Sequence, residues 1–416
     1  MKTLSYRVDQ DRIFQRVLEL AEIGKVGETG TQRFALTEED KEAQLLVSSW
    51  MKEAGMCVWH DHFGNLIGRK EGSDPRLPVV MIGSHIDTVP NGGRFDGTVG
   101  VIGGIEVVQA IHEAGIAHRH PIEVVAFCDE EGSRFSDGLF GSRGMIGKVS
   151  KEDFLLKDEA GVTRYEALKS FGFGMNPDEF KKSVRKKGEI KVFLEMHIEQ
   201  GPYLEQYKKP VGIVKGIAGP AWLKVQLRGE AGHAGTVPMS LRRDPMTGAA
   251  EIIKKIEDIC KGDTTGTMVG TVGVIEAFPG GRNVIPESVV FTLDLRDIDL
   301  ERRNRALQEI EAEIREVCNE RDLNFHVGKL QEIDPVHCSA EVVQSLEASS
   351  RELNIDAPVM ISGAGHDAMF MAEITEMGMI FVRCRGGISH NPKEWANRED
   401  IAKGTQVLAR TVEKYI

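Results

Sequence analysis

Four short segments of the chain concentrate residue types that bind cations and move protons. The first is Ser84-His85-Ile86-Asp87-Thr88, with Gly92-Gly93-Arg94-Phe95-Asp96-Gly97 shortly after it. A histidine with a carboxylate two residues on suits a ligand and its orienting partner. The Asp87 carboxyl can accept a hydrogen bond from the far imidazole nitrogen, fixing the tautomer and raising basicity, while Asp96 offers two oxygens able to bridge two cations. The bland alternative is a loop histidine and an N-cap aspartate. The second segment is Asp129-Glu130-Glu131-Gly132, directly after an apolar run ending at Cys128. Adjacent carboxylates against apolar surface repel each other unless something positive separates their roles. One glutamate can bind metal while the other takes a proton, general-base work worth ~10²–10⁴ in rate; the alternative is a solvated acidic turn. The third and fourth are His197 in His197-Ile198-Glu199-Gln200-Gly201-Pro202 and His390 in Ile388-Ser389-His390-Asn391-Pro392, each preceding a proline that helps set the local backbone. A single histidine is more often structural than ligating, but four such segments recur at strand ends.

The elements that must position them are legible as periodicity. Pro78 to Gly83 and Ile122 to Cys128 are short, continuous apolar runs, the pattern of buried strands, and Ile190 to Glu195 and Met379 to Arg383 repeat it. Each leads into one of the four segments, and an open α/β sheet presents its ligand site at such strand ends. A helix from about Thr98 to Ala114, rich in small residues, suits close packing on the sheet. Upstream, Asp11 to Glu53 is helical with a break near Gly24 to Gly30, and Cys57 to Arg69 forms a strand pair around Phe63-Gly64-Asn65. The middle of the chain follows another plan: strand Trp222 to Arg228, helix Pro245 to Cys260, strands Met268 to Ala277 and Ser288 to Arg296, helix Glu301 to Arg321, strand Asn324 to Gly328. That β-α-β-β-α-β order describes a small, ferredoxin-like domain inserted into a larger one. Joints near Gly212 and Gly328 predict a discontinuous α/β domain of residues 1–212 and 329–416, with a mixed sheet, around a small domain of residues 213–328. Gly97 to Gly104 is glycine-rich and opens a helix, as dinucleotide-binding turns do, but an Asp-bearing loop precedes it where that motif needs a strand.

Composition narrows the partners. The 416 residues carry 52 Lys+Arg against 64 Asp+Glu, a net charge of -12 that disfavours nucleic acid and favours a small-molecule substrate. With 41% hydrophobic and 28% charged residues the chain reads as soluble and globular. Met1 to Leu20 alternates charged and apolar residues and lacks the apolar core of a secretory signal, and no stretch approaches a membrane span. Six cysteines without C-x-x-C spacing fit reduced thiols in a cytoplasmic enzyme.

Together these segments resemble the dinuclear aminoacylase and carboxypeptidase superfamily of metallohydrolases over essentially the whole chain. Within it, His197-Ile198-Glu199-Gln200-Gly201-Pro202, Gly232-His233-Ala234-Gly235-Thr236-Val237-Pro238-Met239 and Gly363-Ala364-Gly365-His366-Asp367-Ala368 are similar to the branch of N-carbamoyl-L-amino-acid hydrolases, β-ureidopropionases and allantoate amidohydrolases. The resemblance implies one divalent ion on His85 and His197, another on Glu131 and His390, and Asp96 between them, with Glu130 as general base and Asp87 supporting catalysis. Mixed imidazole and carboxylate donors suit Mn, Co, Ni or Zn alike. An imidazole at His197, where peptidase relatives commonly carry a carboxylate, favours the carbamoyl-hydrolysing branch. The resemblance further assigns His233 and Asn283 to the substrate carbonyl oxygen, Arg296 to its carboxylate, and Gln200, Gly365 and His366 to the substrate side. Arg suits that role because its planar fork binds a carboxylate through two hydrogen bonds, although Arg296 in Asp294-Leu295-Arg296-Asp297 could equally serve an internal salt bridge. The implied small domain is a lid that forms a homodimer and closes about hinges near Gly212 and Gly328, with His233 reaching into the partner's site.

Overall fold

A computed structural model describes residues 7–416; the first six residues of the N-terminal stretch read above lie outside them. The chain falls into two compact units, one of Met1–Lys215, Cys338–Met360 and His366–Ile416, the other of Gly216–His337 and Ile361–Gly365. In chain order the elements used below are β1 (Leu66–Lys70), β2 (Val79–His85), α1 (Thr98–Glu113), β3 (Ile122–Phe127), α2 (Arg164–Phe171), β4 (Ile190–Ile198), β5 (Gly219–Arg228), α3 (Pro245–Lys261), β6 (Ser288–Asp297), α4 (Leu300–Glu320), β7 (Asn324–Glu332), β8 (Met377–Val382) and α5 (Arg398–Val412).

In the larger unit four neighbouring strands run parallel in the order β8-β4-β2-β3, and β1 joins antiparallel beyond β3, so the sheet is mixed. Every residue of β2, β3 and β8 is buried, which explains why these strands read as unbroken apolar runs: helices cover both faces, as parallel sheets require. The register places His85 opposite Phe127 and His197 opposite Phe381, so both histidines lie at the carboxyl ends of adjacent strands. Helix α1 packs so tightly that a Cβ on Gly100 would sit 2.2 Å from the Met196 carbonyl oxygen. Glycine inside a helix costs about 0.5–1 kcal/mol relative to alanine, a cost that the close helix–sheet approach offsets. A separate cluster of Phe63, Phe135, Phe140, Phe154 and Phe171 packs between β3 and α2.

The smaller unit is an antiparallel sheet in the order Val269–Thr271, β6, β5, β7. Burial alternates strictly along β6, and the inward residues Val289, Phe291, Leu293 and Leu295 share one core with α3 and α4. The single strand expected over Met268 to Ala277 is two, Val269–Thr271 and Ile275–Phe278, both paired with β6. Strand β7 runs on to Glu332, past Gly328, because its pairing with β5 continues after a register shift between Lys329 and Gln331. Among the described residues no helix is long and apolar enough to cross a membrane, and all six cysteines are free.

Candidate metal centre

His85 is the last residue of β2, and Asp129, Glu130 and Glu131 follow β3 after Cys128. His197 lies in the last turn of the β4 pleat, and His390 lies in the loop after β8. Parallel pairing therefore delivers all of them to one sheet edge, where an Asp96-bearing loop joins them. His197 Nε2 lies 3.1 Å from Asp96 Oδ1, and His85 Nε2 lies 3.5 Å from the same oxygen and 3.6 Å from Glu130 Oε2. His390 Nε2 lies 3.6 Å from Asp96 Oδ2 and 3.5 Å from Glu131 Oε1. Three overlapping groups thus have ligand atoms close enough to surround an ion: His85, Asp96 and His197; His85, Glu130 and Glu131; and Asp96, Glu131 and His390. Asp96 spans the first and third through different oxygens.

Each buried histidine presents the same nitrogen inward. His85 Nδ1 bonds the Asp87 carbonyl oxygen at 3.0 Å and His197 Nδ1 the Ile198 carbonyl at 2.9 Å. A carbonyl only accepts, so both Nδ1 atoms carry hydrogen; both Nε2 atoms lie beside Asp96, and that of His197 accepts the Gly97 main-chain N–H at 3.0 Å. The carboxylate of Asp87 departs from the role expected of it. It lies 3.7 Å from His85 Nδ1 and instead accepts the main-chain N–H groups of Glu130 and Glu131 at 3.2 and 3.1 Å. The main-chain carbonyl has the shorter path to Nδ1, which frees the side chain to hold the acidic loop.

The charge balance of the cluster calls for a cation. Burial pushes Glu130 and Glu131 well above the usual carboxylate range, against the opposing pull of His85. Buried carboxylates that repel one another at bonding distance from imidazole lone pairs form a donor set suited to divalent ions. The backbone is shaped for the same end. Asp129, Gln200 and His390 all hold left-handed φ values of 54–57°, the kind of strain found where function fixes a direction. Gly97, at φ 62°, leaves room for His85, since a Cβ there would fall 2.4 Å from the imidazole.

The remaining expected site residues separate by unit. Gln200 donates to Asp96 Oδ2 at 2.8 Å, so in this structure it supports a candidate ligand. The buried His366 ring stands edge-on to His197, centroids 4.6 Å apart, and burial holds it well below its usual pKa and therefore neutral. Gly365, just before it, is exposed. In the smaller unit, exposed His233 pairs across a two-residue ladder with Val284, and Ala234 donates its N–H to the Asn283 carbonyl, so His233 and Asn283 are neighbours. Arg296, from the far end of β6, directs Nε and Nη2 to Asp294 and donates Nη1 to the Gly363 carbonyl at 2.6 Å. The internal salt bridge left open by the sequence is therefore formed.

Sequence reasoning missed Glu394. It is buried, accepts the main-chain N–H groups of Phe95 and Asp96 at 2.7 and 3.1 Å, and takes a bond from Ser389 Oγ, which also bonds Asp96 Oδ2. Burial and the nearby Asp96 push Glu394 up to about 7. The only available signal was an acid four residues after His390. Arg164 was missed as well: it is fully buried and bonds Asp129, whose carboxyl burial nevertheless pushes up to about 7.

A His/Asp/Glu donor set at the carboxyl edge of a parallel sheet, with a β-α-β-β-α-β unit inserted in the chain, fits a metallohydrolase architecture. Peptidase family M20/M25/M40 matches residues 81–414, and the chain belongs to that family. Among its relatives, an N-carbamoyl-L-amino-acid amidohydrolase of Pseudomonas sp. (strain NS671) is 61% identical over 416 residues, covering 100% of both chains. An allantoate deiminase of Arabidopsis thaliana is 37% identical over 424 residues, covering 95% of this chain and 81% of the relative. The crystal structure of an amidase of the hydantoinase/carbamoylase family from Burkholderia multivorans superposes with a TM-score of 0.92 at 34% identity, covering 98% of each chain.

Proposed function

We propose that the protein is a metal-dependent amidohydrolase that removes the carbamoyl group of N-carbamoyl-L-amino acids, giving the L-amino acid, ammonia and carbon dioxide. The observation that carries this reading is the cluster of His85, Asp96, Glu130, Glu131, His197 and His390 in a chain 61% identical end to end to an enzyme of that name. His85 and His197 would hold one divalent ion, Glu131 and His390 a second, and Asp96 both. When bound, such ions acidify water and polarise the ureido carbonyl. Glu130 takes the proton of the attacking water and delivers it to the leaving nitrogen. His233 and Asn283 donate to the oxygen of the tetrahedral intermediate, a kind of contact whose loss costs about 10²–10³ in rate. Arg296 binds the substrate carboxylate. Scission of the ureido C–N bond leaves carbamate, which decomposes to ammonia and carbon dioxide. Activity in this reading belongs to a homodimer whose smaller units close over the metals about joints between the units, with His233 completing the partner's site. A verified monomer with full activity would remove that part.

The test is a parallel assay of N-carbamoyl, N-formyl and N-acetyl amino acids, dipeptides and allantoate, before and after chelation and with Mn, Co, Ni or Zn restored. N-carbamoyl-L-amino acids are expected to turn over fastest, and chelation to abolish the reaction reversibly. Faster turnover of allantoate than of every N-carbamoyl amino acid would reassign the protein to the allantoate branch, and faster dipeptide cleavage to the peptidases.

A further inference from the structure

The acidic run Asp129-Glu130-Glu131 contains three carboxylates, but only two face the metal centre. Asp129, in left-handed backbone, turns the other way and is 1% exposed. Its Oδ2 accepts from Arg164 Nη2 at 2.9 Å, while Oδ1 is buried without a hydrogen-bond partner. Arg164, on α2, is itself fully buried, with its guanidinium 4.2 Å from the Phe140 ring centre and 4.9 Å from that of Phe135. It also donates to the Asp137 carbonyl at 2.8 Å and the Asp153 carbonyl at 3.0 Å, while its Nε remains buried and unbonded. An orphaned carboxylate oxygen beside an orphaned guanidinium nitrogen is a poor arrangement for stability alone, because buried ions with unmet hydrogen bonds seldom repay their desolvation.

The geometry instead serves direction. From Cys128 to Glu131 the loop is fixed on two sides. Asp87 holds the N–H groups of Glu130 and Glu131, and Arg164 holds the side chain of Asp129. Leu139, Phe140 and Gly141, the segment packed beneath Arg164, donate their N–H groups to the carbonyls of Glu130, Asp129 and Cys128. Releasing Asp129 would let its left-handed residue relax, and the next side chain would swing with it. We propose that Arg164 and Asp129 are positioning residues that aim Glu130 at the attacking water, so that the phenylalanine-lined segment around α2 serves the proton transfer without touching substrate. This rests on the reading of Glu130 as the proton carrier.

The experiment compares Asp129→Ala, Asp129→Asn, Arg164→Met and the double variant Asp129→Ala/Arg164→Met with the parent enzyme. Each is assayed well below its own melting temperature with metal content measured on the same sample. Parent turnover on the substrate panel is scored first, and the variants are then compared on whichever amide the parent cleaves, so failure of the substrate assignment leaves this test intact. Misplacing a reacting group by about 1 Å costs up to ~10²-fold. Asp129→Ala and Arg164→Met should therefore lose roughly 10–100-fold in kcat with KM and metal content unchanged. The double variant should lose no more than the worse single one. Asp129→Asn, which keeps an acceptor for Arg164 and tolerates left-handed backbone, should restore most of kcat. A folded, fully metallated Asp129→Ala with kcat within about twofold of the parent overturns the proposal; so does a loss confined to KM or metal content, or one that is additive in the double variant. If Arg164→Met does not fold, the Asp129 pair decides.

Discussion

Asp87 and Glu131 are joined by a hydrogen bond of 3.1 Å from the Glu131 main-chain N–H to Asp87 Oδ2, and the Asp87 carbonyl at the same time receives His85 Nδ1. One residue thus orients a candidate ligand from each of two strands. Asp87→Ala keeps the carbonyl but leaves two part-buried N–H groups unmet, at up to about 1–3 kcal/mol each. The expected result is a lower melting temperature together with a fall in kcat, read by calorimetry and steady-state kinetics. Unchanged kinetics in a folded variant would mean that the acidic loop holds its own shape.

Glu130→Gln removes the proposed proton carrier and leaves the shape. Turnover should fall by about 10²–10⁴ while the metal content measured by atomic emission stays at the parent value. Retained turnover would exclude Glu130 from the chemistry.

Gly97→Ala places a Cβ 2.4 Å from the His85 imidazole, at φ 62° and ψ −46°, outside the regions open to an L-residue. His85 must rotate away from Asp96. Metal binding measured by titration calorimetry should weaken at least about tenfold, equivalent to about 1.4 kcal/mol.

Arg296→Lys replaces a fork that already engages Asp294 and the Gly363 carbonyl with a single ammonium. KM for N-carbamoyl amino acids should rise about tenfold or more with little change in kcat, an energy of about 1.4 kcal/mol or more. Substrates with an amidated carboxyl should not distinguish the two enzymes; if they do, Arg296 acts elsewhere.

Asp40, outside the candidate metal ligands, provides a pH test. It accepts Leu36 N–H at 2.8 Å and Gln44 Nε2, and burial pushes its carboxyl up to about 7. A pKa raised above the unfolded value of about 3.9 means the folded protein binds the proton more tightly. Its contribution to stability is therefore complete below pH ~3.9 and is lost as pH rises through ~7. Asp40→Asn cannot ionise. Its melting temperature relative to the parent should increase from pH ~5 to pH ~8, and a constant difference would remove this assignment.

Much of the site was legible because strand periodicity and ligand chemistry share one register. A buried strand that ends in His, Asp or Glu shows both where the sheet edge lies and what it carries. His85, Asp96, Glu131, His197 and His390 come together for that reason. Glu394 and Arg164 were not legible, because their work is done through main-chain amides and a side-chain contact with an αL residue, neither of which leaves a spacing pattern. The bond from His85 to Asp87 was not legible in detail for a related reason: sequence shows that a carboxyl lies two residues from a histidine, but not that the carbonyl of the same residue is nearer to the ring. In the smaller unit the alternation along β6 was plain, whereas the break at Val272 to Val274 was not, since an apolar stretch crosses it without a proline.

The order of these residues along the polypeptide also sets a schedule for the newborn protein. His85, Asp96, Glu131 and His197 are all made before the smaller unit, whereas Ser389, His390 and Glu394 come from the last stretch of the chain, in the larger unit. A chain still emerging from the ribosome holds Asp96 without the two residues that brace it from the far end. Of the six clustered residues His85, Asp96, Glu130, Glu131, His197 and His390, only His390 is made after the smaller unit, so the cluster is completed by the last stretch of the chain.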